Sequence, residues 1–162
     1  MIQIREFHPN DAVRVNELAV IAFDQFKDSY TDWPIFRSRI ENMSLLAEVG
    51  EIIVAERQGI VVGAVAYVGP GRPKAEFFRL EWPIMRMLVV DPEARGHGIS
   101  RKLAHECLDR AKRDEASIFA LHTSELMKVA LPMYERMGFK YWSPAPMIHG
   151  VKYGVYVKEL NG

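Results

Sequence analysis

The sequence has very little cysteine and no long apolar run. Cys107 is the single cysteine among 162 residues, so the chain forms no internal disulfide and has no cysteine pair for a zinc knuckle. No apolar stretch approaches the roughly 18 residues of a membrane span, and the first residues lack the plan of a signal peptide. We therefore expect one soluble cytoplasmic domain, 1–162, long enough to bury a core without metal or disulfide.

The sequence also lacks net charge, because its 21 Lys and Arg balance its 21 Asp and Glu. This balance argues against nucleic-acid binding, which depends on an excess of cations. Residues 95–113 are an exception, since they carry six Lys or Arg and only two Asp or Glu. This local positive charge favours a small polyanion as a ligand.

Metal-binding motifs are missing too. His105 and Glu106 begin a match to the zinc motif His-Glu-x-x-His, but Asp109 replaces the last histidine and no third ligand follows. We predict no bound metal.

The spacing of apolar residues predicts alternating strands and helices. Strands are predicted over residues 2–7, 52–55, 60–68, 84–90, 118–121, 139–142 and 151–157, and helices over 15–26, 36–47, 100–111 and 126–137. Asn10 is the expected N-cap of the first helix, and Gln58-Gly59 the expected hairpin turn. The strand over 84–90 is expected to be buried on both faces. This order indicates a mixed α/β (α+β) domain with a central sheet flanked by helices.

A glycine-bearing turn links the fourth strand to the basic helix. Gly96 and Gly98 allow the backbone to approach a ligand, and the first N–H groups of a helix lack partners within it. Amides in this arrangement can bind an anion. The spacing of the glycines by itself, however, favours a tight strand-to-helix turn with no ligand. Two other phosphate motifs fail, because Arg101 stands where the dinucleotide fingerprint needs glycine and no Gly-Lys pair forms a P-loop.

The segment Arg95-Gly96-His97-Gly98-Ile99-Ser100 resembles the acetyl-CoA loop of the GNAT (Gcn5-related) N-acetyltransferases, Gln/Arg-x-x-Gly-x-Gly/Ala, with Ser100 in the last small-residue position. A second match, Tyr134-Glu-Arg-Met-Gly138-Phe139, follows at the family's distance. The resemblance covers residues 50–140 and rests on both motifs together.

The resemblance implies a mostly antiparallel sheet of about seven strands, with a V-shaped splay between the fourth and fifth, and acetyl-CoA as cosubstrate. In the family, loop amides hold the pyrophosphate, basic side chains add charge, and the fourth strand pairs with the pantetheine arm. The expected cofactor-binding residues are Leu88, Val89, Val90, Arg95, Gly96, His97, Gly98, Ile99, Ser100 and Arg101.

The resemblance also assigns Tyr134 to catalysis, as the general acid that protonates the departing thiolate. Helical spacing alone makes Tyr134 a core residue. The general base stays open, because Ile84 stands where many family members have glutamate; Glu81, acting through a water, and His122 are the candidates. Met127 replaces a frequent asparagine, which removes one expected contact to the cofactor arm.

The expected function is acetyl transfer from acetyl-CoA to a primary amine of a small molecule or peptide by direct attack. The first two helices are rich in aromatic residues, and Asp24, Asp28 and Asp32 lie near them to attract a cation. Cys107 falls on a buried helix stripe, which argues against an acyl-enzyme. The alternative is an acyl-CoA-binding regulatory or interaction module with the same fold and no transferase activity.

The last strand offers a contact between two copies of the chain. Tyr153, Val155 and Val157 alternate along it, and a strand at the edge of a sheet has unpaired backbone groups. This strand is a candidate edge for a homodimer, and the sequence leaves the oligomeric state open.

Overall fold

The computed structural model describes residues 1–160. The strands are β1 (Ile2–Glu6), β2 (Glu51–Arg57), β3 (Ile60–Val68), β4 (Ile84–Val90), β5 (Ile118–Thr123), β6 (Lys140–Ile148) and β7 (Val151–Glu159). The helices are α1 (Ala12–Asp24), α2 (Trp33–Ile40), α3 (Ile99–Arg113) and α4 (Ala130–Arg136). Within residues 1–160, none of the helices combines the length and apolar character that crossing a bilayer requires.

The strands form one seven-stranded sheet in the order β1-β2-β3-β4-β5-β7-β6. β4 and β5 are parallel, and the other neighbouring pairs are antiparallel. Gln58 and Gly59 both have positive φ, of 53° and 80°, which suits the tight β2–β3 hairpin. The predicted fold class and this turn are confirmed.

The sheet splays between its two central parallel strands. β4 and β5 are paired at Ile84 and Ala120, and no further register pair joins them in the described sheet. Met87 has a φ of 56°, and the β3–β4 register shifts opposite it, between Ala64 and Ala66. Such a bulge bends β4 away from β5. The expected splay is confirmed.

Each face of the sheet carries its own apolar layer. The buried face of α3 packs on one side, together with Phe119, Tyr134 and Phe139. Val15, Leu18 and Ala19 of α1 pack on the other side. Cys107 lies on the buried face of α3 and is fully buried, as its spacing predicts.

Several helix bounds differ from the prediction. The helix expected over 36–47 ends at Ile40, and a 3-10 helix, Met43–Glu48, follows it. The starts of the first and last helices differ as well. Asn10 is not the N-cap of α1, because Pro9–Asp11 forms a 3-10 turn capped by His8, whose imidazole accepts the Asn10 N–H. The last helix begins at residue 130 rather than 126. Pro132 explains this, since proline is tolerated in the first turn of a helix but clashes with the preceding turn further along.

β7 is not an edge strand, so the structural premise of the candidate homodimer is wrong. It lies between β5 and β6 and pairs with both. The outer strand on this side is β6, where Pro144 and Pro146 have no N–H to donate to an added strand. The alternation at Tyr153, Val155 and Val157 reflects packing within the sheet.

A network of charges joins β2 to α3. The buried guanidinium of Arg110 contacts Glu51 at 2.7 Å and also pairs with Glu6 and Glu106. Arg113 contacts the other carboxylate oxygen of Glu51 at 2.9 Å. The Arg113 hydrogen bond is the main reason that the pKa of Glu51 lies below its usual range, despite partial burial.

Glu51→Gln tests this network through the pH dependence of stability. Because folding lowers the pKa of Glu51, its contribution is present above the unfolded pKa near 4.5 and is lost as pH falls through the folded pKa. For this partly exposed pair we expect about 0.5 to 1 kcal/mol at pH 7. Urea unfolding from pH 7 to pH 3 measures it, with Glu48→Gln as the control. Parallel stability profiles for Glu51→Gln and wild type would contradict the assignment.

Candidate active site

A cavity of about 540 Å³ lies where β4 and β5 diverge. Residues 85–88 of β4 and 121–123 of β5 line it from the two strands, and Tyr134 of α4 lines it as well. The remaining walls come from α1, α2, the segment 42–49 and the ends of β6 and β7. Because the strands no longer pair here, the cavity enters the sheet itself.

The loop after β4 presents a row of unpaired amides. Gly96 and Gly98 have positive φ, of 88° and 70°, and the first backbone bond of α3 runs from the Lys102 N–H to the Gly98 carbonyl at 3.0 Å. Among the described residues, no N–H from Gly96 to Arg101 donates to a protein acceptor. This row of donors at a helix N-terminus suits an anion.

The side chains of this loop divide into buried and exposed groups. Ile99 is buried in the core, so only its backbone is available to a ligand. Arg95, His97, Arg101 and Lys102 are exposed, and the arginines and the lysine make no ion pair within residues 1–160. The basic side chains are therefore free to meet a polyanion.

The end of β4 keeps one edge unpaired. Val89 and Val90 pair with Ala64 and Gly63 of β3, while β5 has already diverged on the opposite side. The backbone around Leu88 therefore has an edge open to an extended ligand.

Tyr134 places a phenol in the cavity. Its side chain is 6% exposed, and its hydroxyl has no hydrogen-bond partner among residues 1–160. Burial, with a smaller contribution from Cys107, raises the pKa of Tyr134. The phenol therefore stays protonated at neutral pH and has a proton to give.

The two candidate bases lie in different places. His122 lines the cavity, and its ring packs against Phe77, Phe78 and Tyr153. Burial, followed by the charge of Arg86, lowers the pKa of His122 to about 4. Glu81 is exposed, lies outside the cavity lining and is close enough to favour the charged form of Lys74. Tyr134 and His122 therefore line the same cavity, whereas Glu81 does not.

The cavity also contains arginines that the sequence reasoning missed. Arg86 of β4 and Arg39 of α2 both line it. The expectation that residues 84–90 are buried on both faces is wrong at Arg86, whose side chain is exposed to the cavity. A charged residue inside the apolar run Ile84–Val90 was the available signal.

The acids expected near the acceptor are elsewhere. Asp24, Asp28 and Asp32 are exposed, and none of them lines the cavity. Phe23 and Phe36 do line it, and Phe36 stacks on Tyr30 with ring centroids 4.2 Å apart. The aromatic residues thus supply a wall, whereas the expected cation site is not formed there.

Comparison with models of protein families shows which family this chain belongs to. The model described as "Acetyltransferase (GNAT) family" matches residues 15–139, which is more than half of the chain. The chain belongs to the GNAT acetyltransferase family. The splayed sheet agrees with this assignment.

Solved structures share this fold over nearly the whole chain. PH1933 from Pyrococcus horikoshii superposes with a TM-score of 0.78 at 18% identity, with both chains fully covered. A Brucella melitensis GNAT acetyltransferase in complex with acetyl-CoA has a TM-score of 0.68 at 22% identity and covers 100% of this chain and 90% of its own. At these identities the likeness shows the fold.

Two curated relatives match shorter segments. N-acetyltransferase 8B of Homo sapiens is 35% identical over 98 residues, 60% of this chain and 42% of the relative. N-alpha-acetyltransferase 30 of Saccharomyces cerevisiae is 40% identical over 53 residues, 33% of this chain and 30% of the relative. The matches therefore span less than half of either relative.

Gly98→Ala tests whether the GNAT loop binds an anion. Alanine disfavours the positive φ, which costs about 1 kcal/mol, and disturbs the row of amides. We expect coenzyme A to bind at least tenfold more weakly, by isothermal titration calorimetry. Gly71→Ala is the matched control, because Gly71 also has positive φ, and at both glycines an added Cβ meets no atom within 4 Å. Unchanged affinity in Gly98→Ala would remove the loop from the site.

Proposed function

We propose that this protein is an acetyl-CoA-dependent N-acetyltransferase that transfers the acetyl group directly to a primary amine of a small molecule. The observation that carries the proposal is the phenol of Tyr134 in the opening between β4 and β5: the residue is largely buried, and its hydroxyl has no hydrogen-bond partner within residues 1–160. The GNAT family match and the unpaired loop amides support it.

The residues present fit the cosubstrate. The amides from Gly96 to Arg101 bind the diphosphate, and Arg95 and Arg101 add positive charge beside it. The backbone from Leu88 to Val90 pairs with the pantetheine arm along the open edge of β4. Acetyl-CoA supplies an activated acyl group as its thioester.

Tyr134 acts as the general acid. As the amine nitrogen bonds to the acetyl carbon and the carbon–sulfur bond breaks, electrons pass to the sulfur. The Tyr134 hydroxyl donates its proton to this thiolate, the acylated nitrogen releases its extra proton to solvent, and Tyr134 regains a proton from solvent. Because its hydroxyl has no partner among residues 1–160, this proton is not held in a competing hydrogen bond.

The acceptor amine enters in its neutral form. His122, with a pKa lowered to about 4, is neutral at pH 7 and too weak a base to hold a proton taken from an ammonium group. Arg86 adds positive charge to the same cavity, and a nearby cation lowers the pKa of an ammonium group. His122 therefore accepts a hydrogen bond from the amine, and the base role of Glu81 stays a prediction that needs a bridging water.

Tyr134→Phe tests the general acid. We expect kcat to fall at least tenfold, while the Kd for coenzyme A stays within about threefold, because general acids contribute about 10² to 10⁴ in rate. Thiol release measures turnover, and calorimetry measures binding. Tyr156→Phe is the control, since Tyr156 is buried in the same apolar layer and does not line the cavity.

Two outcomes would contradict the proposal. Unchanged turnover in Tyr134→Phe removes the tyrosine from the mechanism. Tight coenzyme A binding by wild type, without thiol release on any amine of a broad panel, leaves an acyl-CoA-binding module in place of an enzyme.

The pH dependence of kcat/KM tests the neutral-amine step. We expect kcat/KM to rise with pH and level off near the pKa of the acceptor, near 10.4 for a lysine-like amine. An acceptor with a lower amine pKa should lower the midpoint of the kcat/KM profile by the difference between the two amine pKa values. This shift should be the same in wild type, His122→Asn and Glu81→Gln. If the midpoint of the kcat/KM profile is the same for all acceptors but shifts in one of these variants, the substituted residue is the base.

A further inference from the structure

The cavity contains positive charge without an acid to balance it. Arg86 and Arg39 line it, and the described lining includes no Asp or Glu. Arg86 makes no ion pair or side-chain hydrogen bond within residues 1–160, and the same holds for Arg39. By contrast, Arg110 and Arg113, on the other side of the sheet, are both fully paired with carboxylates.

Arg86 is held where solvation is incomplete. It lies on β4 between Met85 and Met87, paired with Ala66 of β3, and its charge acts on His122 of β5. Protein atoms surround it closely enough that burial lowers its pKa, yet its side chain remains exposed to the cavity. An unpaired guanidinium in such a place is costly, and a ligand carboxylate would offset this cost with paired hydrogen bonds.

Most of the other residues on the acceptor side of the cavity are apolar, and Asn42 is a polar exception. Phe23, Phe36, Ile40, Met43 and Leu46 line it on the α1 and α2 side of the sheet. An occupant that satisfies both parts of the surface needs an anionic group at one end and an apolar body at the other. The proposed transfer adds the third requirement, a primary amine.

We propose that the acceptor is a free amino acid with an apolar side chain, whose carboxylate is bound by the Arg86 guanidinium with support from Arg39. This inference rests on the proposed N-acetyl transfer and names its substrate class. A guanidinium binds a carboxylate through two parallel hydrogen bonds, so Arg86 both selects and orients the acceptor. Asp24, Asp28 and Asp32, which were expected to attract a cation, lie outside this cavity.

Matched acceptors test the carboxylate. Wild-type enzyme is assayed by thiol release with leucine, methionine and phenylalanine, with the corresponding amino acid amides, and with amines that lack the carboxylate. We expect kcat/KM for the best amino acid to exceed that for its amide at least tenfold after correction for the fraction of neutral amine. Dipeptides of the same N-terminal residue form a further arm, and a preference for them over the free amino acid would overturn the proposed substrate class.

Arg86→Gln tests the residue. We expect KM for the amino acid to rise at least tenfold and the selectivity for acid over amide to disappear. We expect kcat/KM for the amide to fall much less, because the amide loses only the effect of the Arg86 charge on its amine. Arg39→Gln should give a smaller loss in the same direction. Arg37→Gln is the control, because Arg37 lies on the same helix, is exposed and does not line the cavity. Equal losses for acid and amide in Arg86→Gln would contradict carboxylate binding.

A binding measurement separates this inference from the proposed function. Calorimetry with the coenzyme A-saturated protein compares N-acetyl-leucine, N-acetyl-methionine and N-acetyl-phenylalanine with their amides. Tighter binding of an acid, lost in Arg86→Gln, supports the carboxylate site even if no amine is acetylated. If the protein acetylates amines but shows no preference for acids over amides, the proposed N-acetyltransferase function stands and the proposed substrate class is overturned.

Discussion

The early end of pairing between β4 and β5 is the constraint on which the rest of the structure depends. The two parallel strands meet at Ile84 and Ala120 and then diverge, helped by the positive φ of Met87. Continued pairing would fill the cavity and cover the edge of β4. Because the strands separate, Tyr134 lies beside an open space within the sheet, and backbone groups that a sheet normally satisfies are available to a ligand.

Charge divides the molecule into two environments. Next to α3, arginines are paired with carboxylates and stabilise the contact between β2 and the helix. In the cavity, Arg86 has no ion pair within residues 1–160, and the low pKa of His122 keeps its imidazole neutral at pH 7. A carboxylate group on the acceptor would pair with Arg86 in the cavity, as Glu51 pairs with Arg110 and Arg113 beside α3. The same positive charge discourages an ammonium form of the amine, which favours the reactive neutral form.

Much of this fold is predictable from local sequence. The hairpin at Gln58-Gly59, the apolar face of α3 and the bounds of β4 follow from turn chemistry and periodicity. The glycine loop and Tyr134 were identified through family motifs rather than physics, since spacing alone gives a tight turn and a core tyrosine. The position of β7 inside the sheet, the bulge at Met87 and the unpaired state of Arg86 depend on contacts between distant segments, which local patterns do not contain.

The most direct test of the account is the distance between the Tyr134 hydroxyl oxygen and the coenzyme A sulfur in a crystal structure of the complex. The account predicts that the cosubstrate enters the opening between β4 and β5, with the sulfur within hydrogen-bond reach of that oxygen, about 3 to 4 Å. A sulfur bound on another surface, or separated from the phenol by a wall of side chains, would contradict it.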